Sequence, residues 1–172
     1  MAARKSKHMN RINELDPSGV HQIFLNCLGA RRWAQEMTQD RPYAHAQALV
    51  EKAAQAWEKL GRDDWLEAFG AHPKIGDIES LKAKYSATKN LAESEQSGVT
   101  QASQQVLEEL AAKNKEYEEK FGYIFIVCAT GKTADEMLNI LRSRIVNSSN
   151  EELKNAIEEQ KKITRLRLEK LS

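Results

Sequence analysis

Three places in the chain bring together side chains able to do chemistry. The first is "GAHPKIGD", residues 70–77, where His72 stands between a glycine and a proline. An imidazole titrates near neutral pH and is the commonest general acid–base group. Pro73 lacks a backbone donor and pushes the residue before it out of the helical region, so His72 is expected on a stiff, non-helical corner. Gly70 is expected to end the preceding helix through the left-handed region, with Gly76–Asp77 as a second turn. On local geometry alone, a ring placed here more often caps the carbonyls of the helix before it.

The second place is "ESEQSG", residues 93–98. Its polar groups suit a hydrogen-bonded ligand, although such a run more often simply starts the helix that follows. The third is Arg167. At about 100° per residue, it falls on the face made by Leu153, Ala156, Ile157, Thr164, Leu168 and Leu171, whereas Arg165 points away. A guanidinium in an apolar stripe usually reaches out to the rim; otherwise it meets a buried anion, and its planar fork fits a carboxylate.

Two other patterns carry nothing. "ATGKT" lacks the glycine that a phosphate loop needs five positions before Gly131, where Ile126 stands. The four histidines are far apart and include no His-x-x-x-His pair, so no metal site is expected.

The elements that must position these groups read almost entirely as helix. Asp16 and Pro17 have the form of an N-cap and first helical residue, opening a helix expected to run to the break at Arg41–Pro42, with Val20, Ile23, Phe24, Cys27 and Leu28 as its apolar stripe. A second helix carries Leu49, Ala53, Ala56, Trp57 and Leu60 and stops at Gly61. A short third, starting at Asp63 or Asp64, delivers the chain to His72. Residues 78–97 suggest one or two short helices. A long helix from about Val99 is stopped by Gly122, and "YIFIVCA" follows, rich in β-branched and aromatic residues but with no second strand to pair with. It reads as buried extended chain, whose unpaired backbone could contact a ligand. Thr133 and Glu136 form a capping box, and a last helix begins near Glu151. The expected fold is all-α: a single compact domain of about eight helices with one buried extended segment.

A chain of 172 residues with 41% hydrophobic and 30% charged residues is long enough and apolar enough for one domain with a proper core. Its 26 basic and 25 acidic residues balance, so no nucleic-acid partner is expected. No apolar run approaches the length of a membrane span. Cys27 and Cys128 read as reduced thiols of a cytoplasmic protein, and the terminal "EKLS" is not a Ser-Lys-Leu address. Residues 1–9 read as a cloning leader or disordered N-terminus, and 10–172 as the helical domain.

Taken in order, "AHPKIGD", "SEQSG", "FGYIFIVCATGK", "RSRIVNSSNEEL" and "ITRLRLEKL" resemble the 2-oxo-4-hydroxy-4-carboxy-5-ureidoimidazoline (OHCU) decarboxylases, from about Leu15 to Leu171. The resemblance implies an all-helical enzyme of urate breakdown, cofactor-free and usually a homodimer, that releases CO₂ to give (S)-allantoin. It implies that His72 moves the proton and that Pro73 lines the site. It also implies a catalytic role for Glu95, and substrate contacts for Ala92, Glu93, Ser94, Glu95, Gln96, Arg167 and the segment Phe125, Ile126, Val127, Cys128 and Ala129. The sequence departs from the family pattern at Ala92, where serine is common.

Overall fold

The computed structural model describes residues 12–74, 76–86 and 96–171. After a single helical turn at 12–14, eight helices follow: α1 Pro17–Cys27, α2 Arg31–Gln39, α3 Ala46–Trp57, α4 Arg62–Gly70, α5 Ile78–Ser86, α6 Gln96–Phe121, α7 Ala134–Ile145 and α8 Ser149–Glu169. No strand occurs among the described residues, as the all-α expectation required. None of the described helices is long and apolar enough to cross a membrane. The leader expected at residues 1–9 lies outside the described residues.

The backbone gathers into two units. One ends at His72 and resumes at Ile157; the other runs from Pro73 to Ala156. In the first unit, the Asp16 carboxylate accepts from the N–H groups of Ser18 and Gly19 at 3.0 Å each, and Pro17 opens the helix, as the sequence indicates. Val20, Phe24, Cys27 and Leu28 are buried, and Phe24 meets Trp33 and Tyr43 edge-to-face at ring separations of 5.9 and 6.3 Å.

The helix expected to run unbroken toward Arg41 is interrupted at residues 28–30. Leu28 is extended, with φ −142° and ψ 116°, and Gly29 lies so near the end of α4 that a Cβ there would stand 2.2 Å from the Ala71 Cβ. The cause is a long-range close approach, which helical periodicity does not encode. Beyond the break, Glu67 of α4 accepts the Arg31 N–H at 3.1 Å and pairs with the Arg31 guanidinium, anchoring the start of α2.

Gly29→Ala should therefore disturb the backbone leading into His72. Overpacking of this kind costs about 1–3 kcal/mol, and about 2–4 °C of Tm per kcal/mol in a chain of this size. A thermal melt indistinguishable from the parent would show that the contact relaxes freely.

In the second unit, α5 packs on α6 and α6 on α7. Gly122 stops α6 at φ +79°, a left-handed conformation that favours glycine. Thr133 and Glu136 form the expected capping box, the Glu136 carboxylate accepting the Thr133 N–H at 2.7 Å. Residues 124–129 between α6 and α7 form neither helix nor strand; Ile126 is buried and the others are half-buried. Tyr117, Phe121, Tyr123 and Phe125 cluster here, with Tyr117 4.6 Å from Phe121 and 5.2 Å from Phe125 between ring centres.

Candidate functional site

His72 sits on the non-helical corner expected of it, but the details differ from the sequence reading. Gly70 is the last residue of α4, and Ala71 continues in the right-handed region at φ −77°. The left-handed exit expected at Gly70 is absent, because the corner closes by hydrogen bonds of main-chain N–H groups. Ala71 N–H donates to Glu67 and Ala68, and His72 N–H donates to Phe69 O at 3.2 Å. The backbone thus satisfies the end of α4, leaving the imidazole free of capping duty.

The ring turns instead to α8. Its Nε2 lies 2.6 Å from Oε1 of Gln160, a fully buried residue. The Gln160 amide Nε2 donates to Thr164 Oγ1 at 3.4 Å, and the Thr164 hydroxyl donates to the Gln160 main-chain oxygen at 2.9 Å. Nδ1 of His72 has no hydrogen-bond partner among the described residues.

Arg167, seven residues beyond Gln160, is half-buried. Its Nη1 donates to the main-chain oxygens of Asn26 at 3.2 Å and Cys27 at 3.1 Å, the last carbonyls of α1. One edge of the fork is spent on these oxygens, and no carboxylate pairs with it among the described residues.

Burial holds the His72 imidazole below its usual pKa, and the Arg167 charge pushes the same way. The hydrogen bond to Gln160 opposes both. Burial drives the Cys27 thiol up to about 11, which makes it inert at neutral pH.

The lowered imidazole has a consequence for stability. Below the unfolded-chain value of about 6.5, the unfolded state takes up a proton that folded His72 resists. Folding is therefore weakened as pH falls from there through the folded pKa, with no contribution above that window. Urea midpoints should fall less between neutral and mildly acidic pH in His72→Gln than in the parent. Parallel losses in the two proteins would contradict this.

In the second unit, Arg144 and Glu152 form a buried ion pair that the sequence reading missed. Glu152 Oε1 accepts Arg144 Nε at 2.8 Å and the Tyr117 hydroxyl at 2.5 Å, while Oε2 accepts Asn147 Nδ2 at 2.9 Å. Desolvation, followed by the bond to Glu152, raises the Tyr117 hydroxyl far above its ordinary pKa, keeping it a donor. Arg144 extends to the 124–129 segment: Nη1 donates to Ile126 O at 2.7 Å, and the guanidinium lies 4.8 Å from the Phe125 ring centre. Lys132 Nζ donates to Cys128 O at 2.8 Å and Lys132 N–H to Ala129 O at 3.1 Å. With these three carbonyls engaged inside the protein, the segment is not the wholly unpaired edge expected from the sequence. The Ile126 side chain is core, whereas Phe125, Val127, Cys128 and Ala129 are half-buried and Pro73 is exposed.

Glu152 and Gln160, both missed in the sequence, lie on one row of α8. Glu152, Ala156, Gln160, Thr164 and Leu168 are buried at every fourth position, while Leu153 and Ile157, expected on the inner face, are half-buried. The detectable signal was the four-residue register of Ala156, Thr164 and Leu168, which brackets Gln160 and, continued one turn back, reaches Glu152.

Of the other expected site residues, Gln96 is the first residue of α6, while Ala92, Glu93, Ser94 and Glu95 lie outside the described residues. Among the described residues there is no group of three or more His, Cys, Asp or Glu able to hold a metal ion.

The OHCU decarboxylase family model matches residues 13–169, nearly the whole chain. The chain belongs to the OHCU decarboxylase family. It is similar to the uric acid degradation bifunctional protein TTL of Arabidopsis thaliana, 37% identical over 145 residues, covering 84% of this chain and 45% of that one. It is also similar to the 2-oxo-4-hydroxy-4-carboxy-5-ureidoimidazoline decarboxylase of Xenopus laevis, 29% identical over 169 residues, covering 93% and 91% of the two chains. A solved OHCU decarboxylase, crystallised in the presence of (S)-allantoin, matches with a TM-score of 0.69 and 38% identity. That match covers 86% of this chain and 95% of the other. The chain thus spans less than half of the bifunctional plant relative and nearly all of the Xenopus laevis relative.

Proposed function

We propose that this OHCU decarboxylase family member removes CO₂ from 2-oxo-4-hydroxy-4-carboxy-5-ureidoimidazoline to give (S)-allantoin, with His72 as the proton-transfer group. The observation that carries this reading is the imidazole itself. It is half-buried on a rigid corner, bonded through one nitrogen to a buried amide, and open at the other. The names of the relatives support the substrate class.

The substrate's carboxylate sits on a carbon next to a ring C=N bond. When the C–C bond to the carboxylate breaks, its electron pair passes into that C=N system, so the substrate provides its own electron sink and the reaction needs no cofactor for that task. Overall, one proton is consumed as CO₂ departs. The neighbouring ring carbon and the ring nitrogen of the former C=N bond each gain a proton, while the hydroxyl on the former carboxylate carbon gives one up and becomes a carbonyl. The lowered pKa supports an imidazole that starts neutral, accepts the hydroxyl proton and returns a proton to carbon.

Arg167 offers a cation for the substrate carboxylate on the edge of its fork that is not spent on Asn26 and Cys27. Substrate contacts by Pro73, Glu95, Gln96 and residues 125–129 belong to the same proposal and rest on the resemblance of their motifs. So do assembly as a homodimer and residence in the cytoplasm, the latter also in keeping with the sequence reading of Cys27 and Cys128 as reduced.

The test uses freshly oxidised urate with hydroxyisourate hydrolase present. Circular dichroism should show rapid formation of one allantoin enantiomer, unchanged after exhaustive chelation. Slow racemic product at the spontaneous rate would sink the proposal.

A further inference from the structure

A glutamine at zero exposure in the row Ala156–Gln160–Thr164 is costly unless both ends of its amide are bonded. Both ends are bonded here, and the hydrogen bonds indicate which end faces which neighbour. The Thr164 hydroxyl hydrogen is committed to the Gln160 main-chain oxygen at 2.9 Å. Its oxygen can therefore only accept, and what it accepts is the Gln160 amide N–H at 3.4 Å. The reverse amide orientation would require that hydroxyl to leave the main-chain oxygen and donate to Gln160 Oε1 instead. With the Thr164 hydroxyl on the main-chain oxygen, Oε1 faces His72, at 2.6 Å from Nε2. A carbonyl oxygen only accepts, so the hydrogen of that bond belongs to the imidazole.

We propose that Gln160, oriented by Thr164, is a positioning residue that fixes the His72 tautomer with its hydrogen on Nε2, making Nδ1 the atom that takes and returns the substrate proton. The inference deepens the decarboxylase reading and rests on it for its catalytic consequence. Gln160 acts through His72 and does not itself touch substrate.

Three features agree with this assignment. Nδ1 has no partner among the described residues, so it is available. Arg167 is the charged group that acts on the imidazole, and a nearby cation favours a neutral ring, the form in which the choice of tautomer matters. A neutral amide holds the ring without the strong upward pKa shift that a carboxylate partner would impose. An imidazole kept neutral at working pH is a competent base at its bare nitrogen.

The decisive measurement needs no substrate. With ¹⁵N-labelled histidine, the two ring nitrogens of His72 are distinguished by NMR at a pH well above its titration. The expected result is a protonated, pyrrole-type Nε2 and a bare, pyridine-type Nδ1. A protonated Nδ1, or comparable populations of the two tautomers, overturns the proposal.

Two variants then test the consequence. Gln160→Leu should lose the tautomer preference and lower kcat by part of the ~10²–10⁴-fold that general acid–base catalysis supplies, with KM changed little. Gln160→Glu should keep the tautomer and raise the imidazole pKa by about 1–3 units, moving the acid limb of the rate profile to higher pH. If both variants alter only Tm, with tautomer and pH profile unmoved in the folded protein, the role is merely structural and the proposal fails. Absence of turnover in the parent would instead defeat the decarboxylase reading, while the tautomer measurement stands independently.

Discussion

His72→Asn should leave a folded chain that has lost most of its turnover. Asparagine is polar and of similar reach, but it cannot titrate or hold a proton for the ring carbon. The expected fall in kcat is on the order of 10²-fold or more, the usual scale for a general acid–base group. The structure also sets the stability side of the experiment. The ring does not cap α4, whose last carbonyls are satisfied by the backbone of Ala71 and His72, so helix α4 should survive the change. What the variant loses is the bond to Gln160 Oε1, and an acceptor left unpaired in that setting costs about 1–3 kcal/mol. Turnover per folded molecule and Tm, measured on one preparation, separate the two effects. A folded variant with near-normal turnover would end the proton-transfer assignment.

The features legible in the sequence were those whose causes are local. Asp16–Pro17, the Thr133–Glu136 box, the Gly122 stop and the His72–Pro73 corner each depend on residues within one turn of one another. All four appear where the residue types placed them. The interruption at Gly29 was invisible because its cause is Ala71, 42 positions later in the chain. Gly70 misled for a related reason: a helix end needs its carbonyls satisfied, and here a right-handed Ala71 and the N–H groups of Ala71 and His72 suffice.

The site was half legible. His72 and Arg167 stand out as candidates from their own local context. Gln160 and Glu152 do not, since a glutamine or glutamate in a charged helix reads as surface unless its partners are known. Gln160 is retained inside by His72 and Thr164, and Glu152 by Arg144, Tyr117 and Asn147. Of the stripe read from the sequence, Ala156, Thr164 and Leu168 are buried, whereas Leu153 and Ile157 stand one position off the buried row. One residue of displacement is enough to exchange a buried polar group for a half-exposed leucine.

The Arg144–Glu152 pair should be the most stability-critical contact of the second unit. Glu152→Gln keeps size and shape but removes the charge that compensates a guanidinium only 8% exposed. It also turns an amide N–H toward groups that are themselves donors, since both carboxylate oxygens are accepting. Breaking one side of a buried pair costs about 3–5 kcal/mol. The loss should be felt along residues 124–129, because Arg144 holds Ile126 O at 2.7 Å and stacks on Phe125. Urea unfolding should give a midpoint far below that of the parent, and hydrogen exchange should quicken through that segment first. The control is Arg144→Met with Glu152→Leu together, which leaves no charge stranded and should recover much of the lost stability while the Ile126 carbonyl stays unheld. The pair's two roles then separate: stability returns in the double variant, whereas protection of 124–129 does not. If Glu152→Gln unfolds within about 1 kcal/mol of the parent, below the cost of an uncompensated buried charge, the pair is not what fixes the segment.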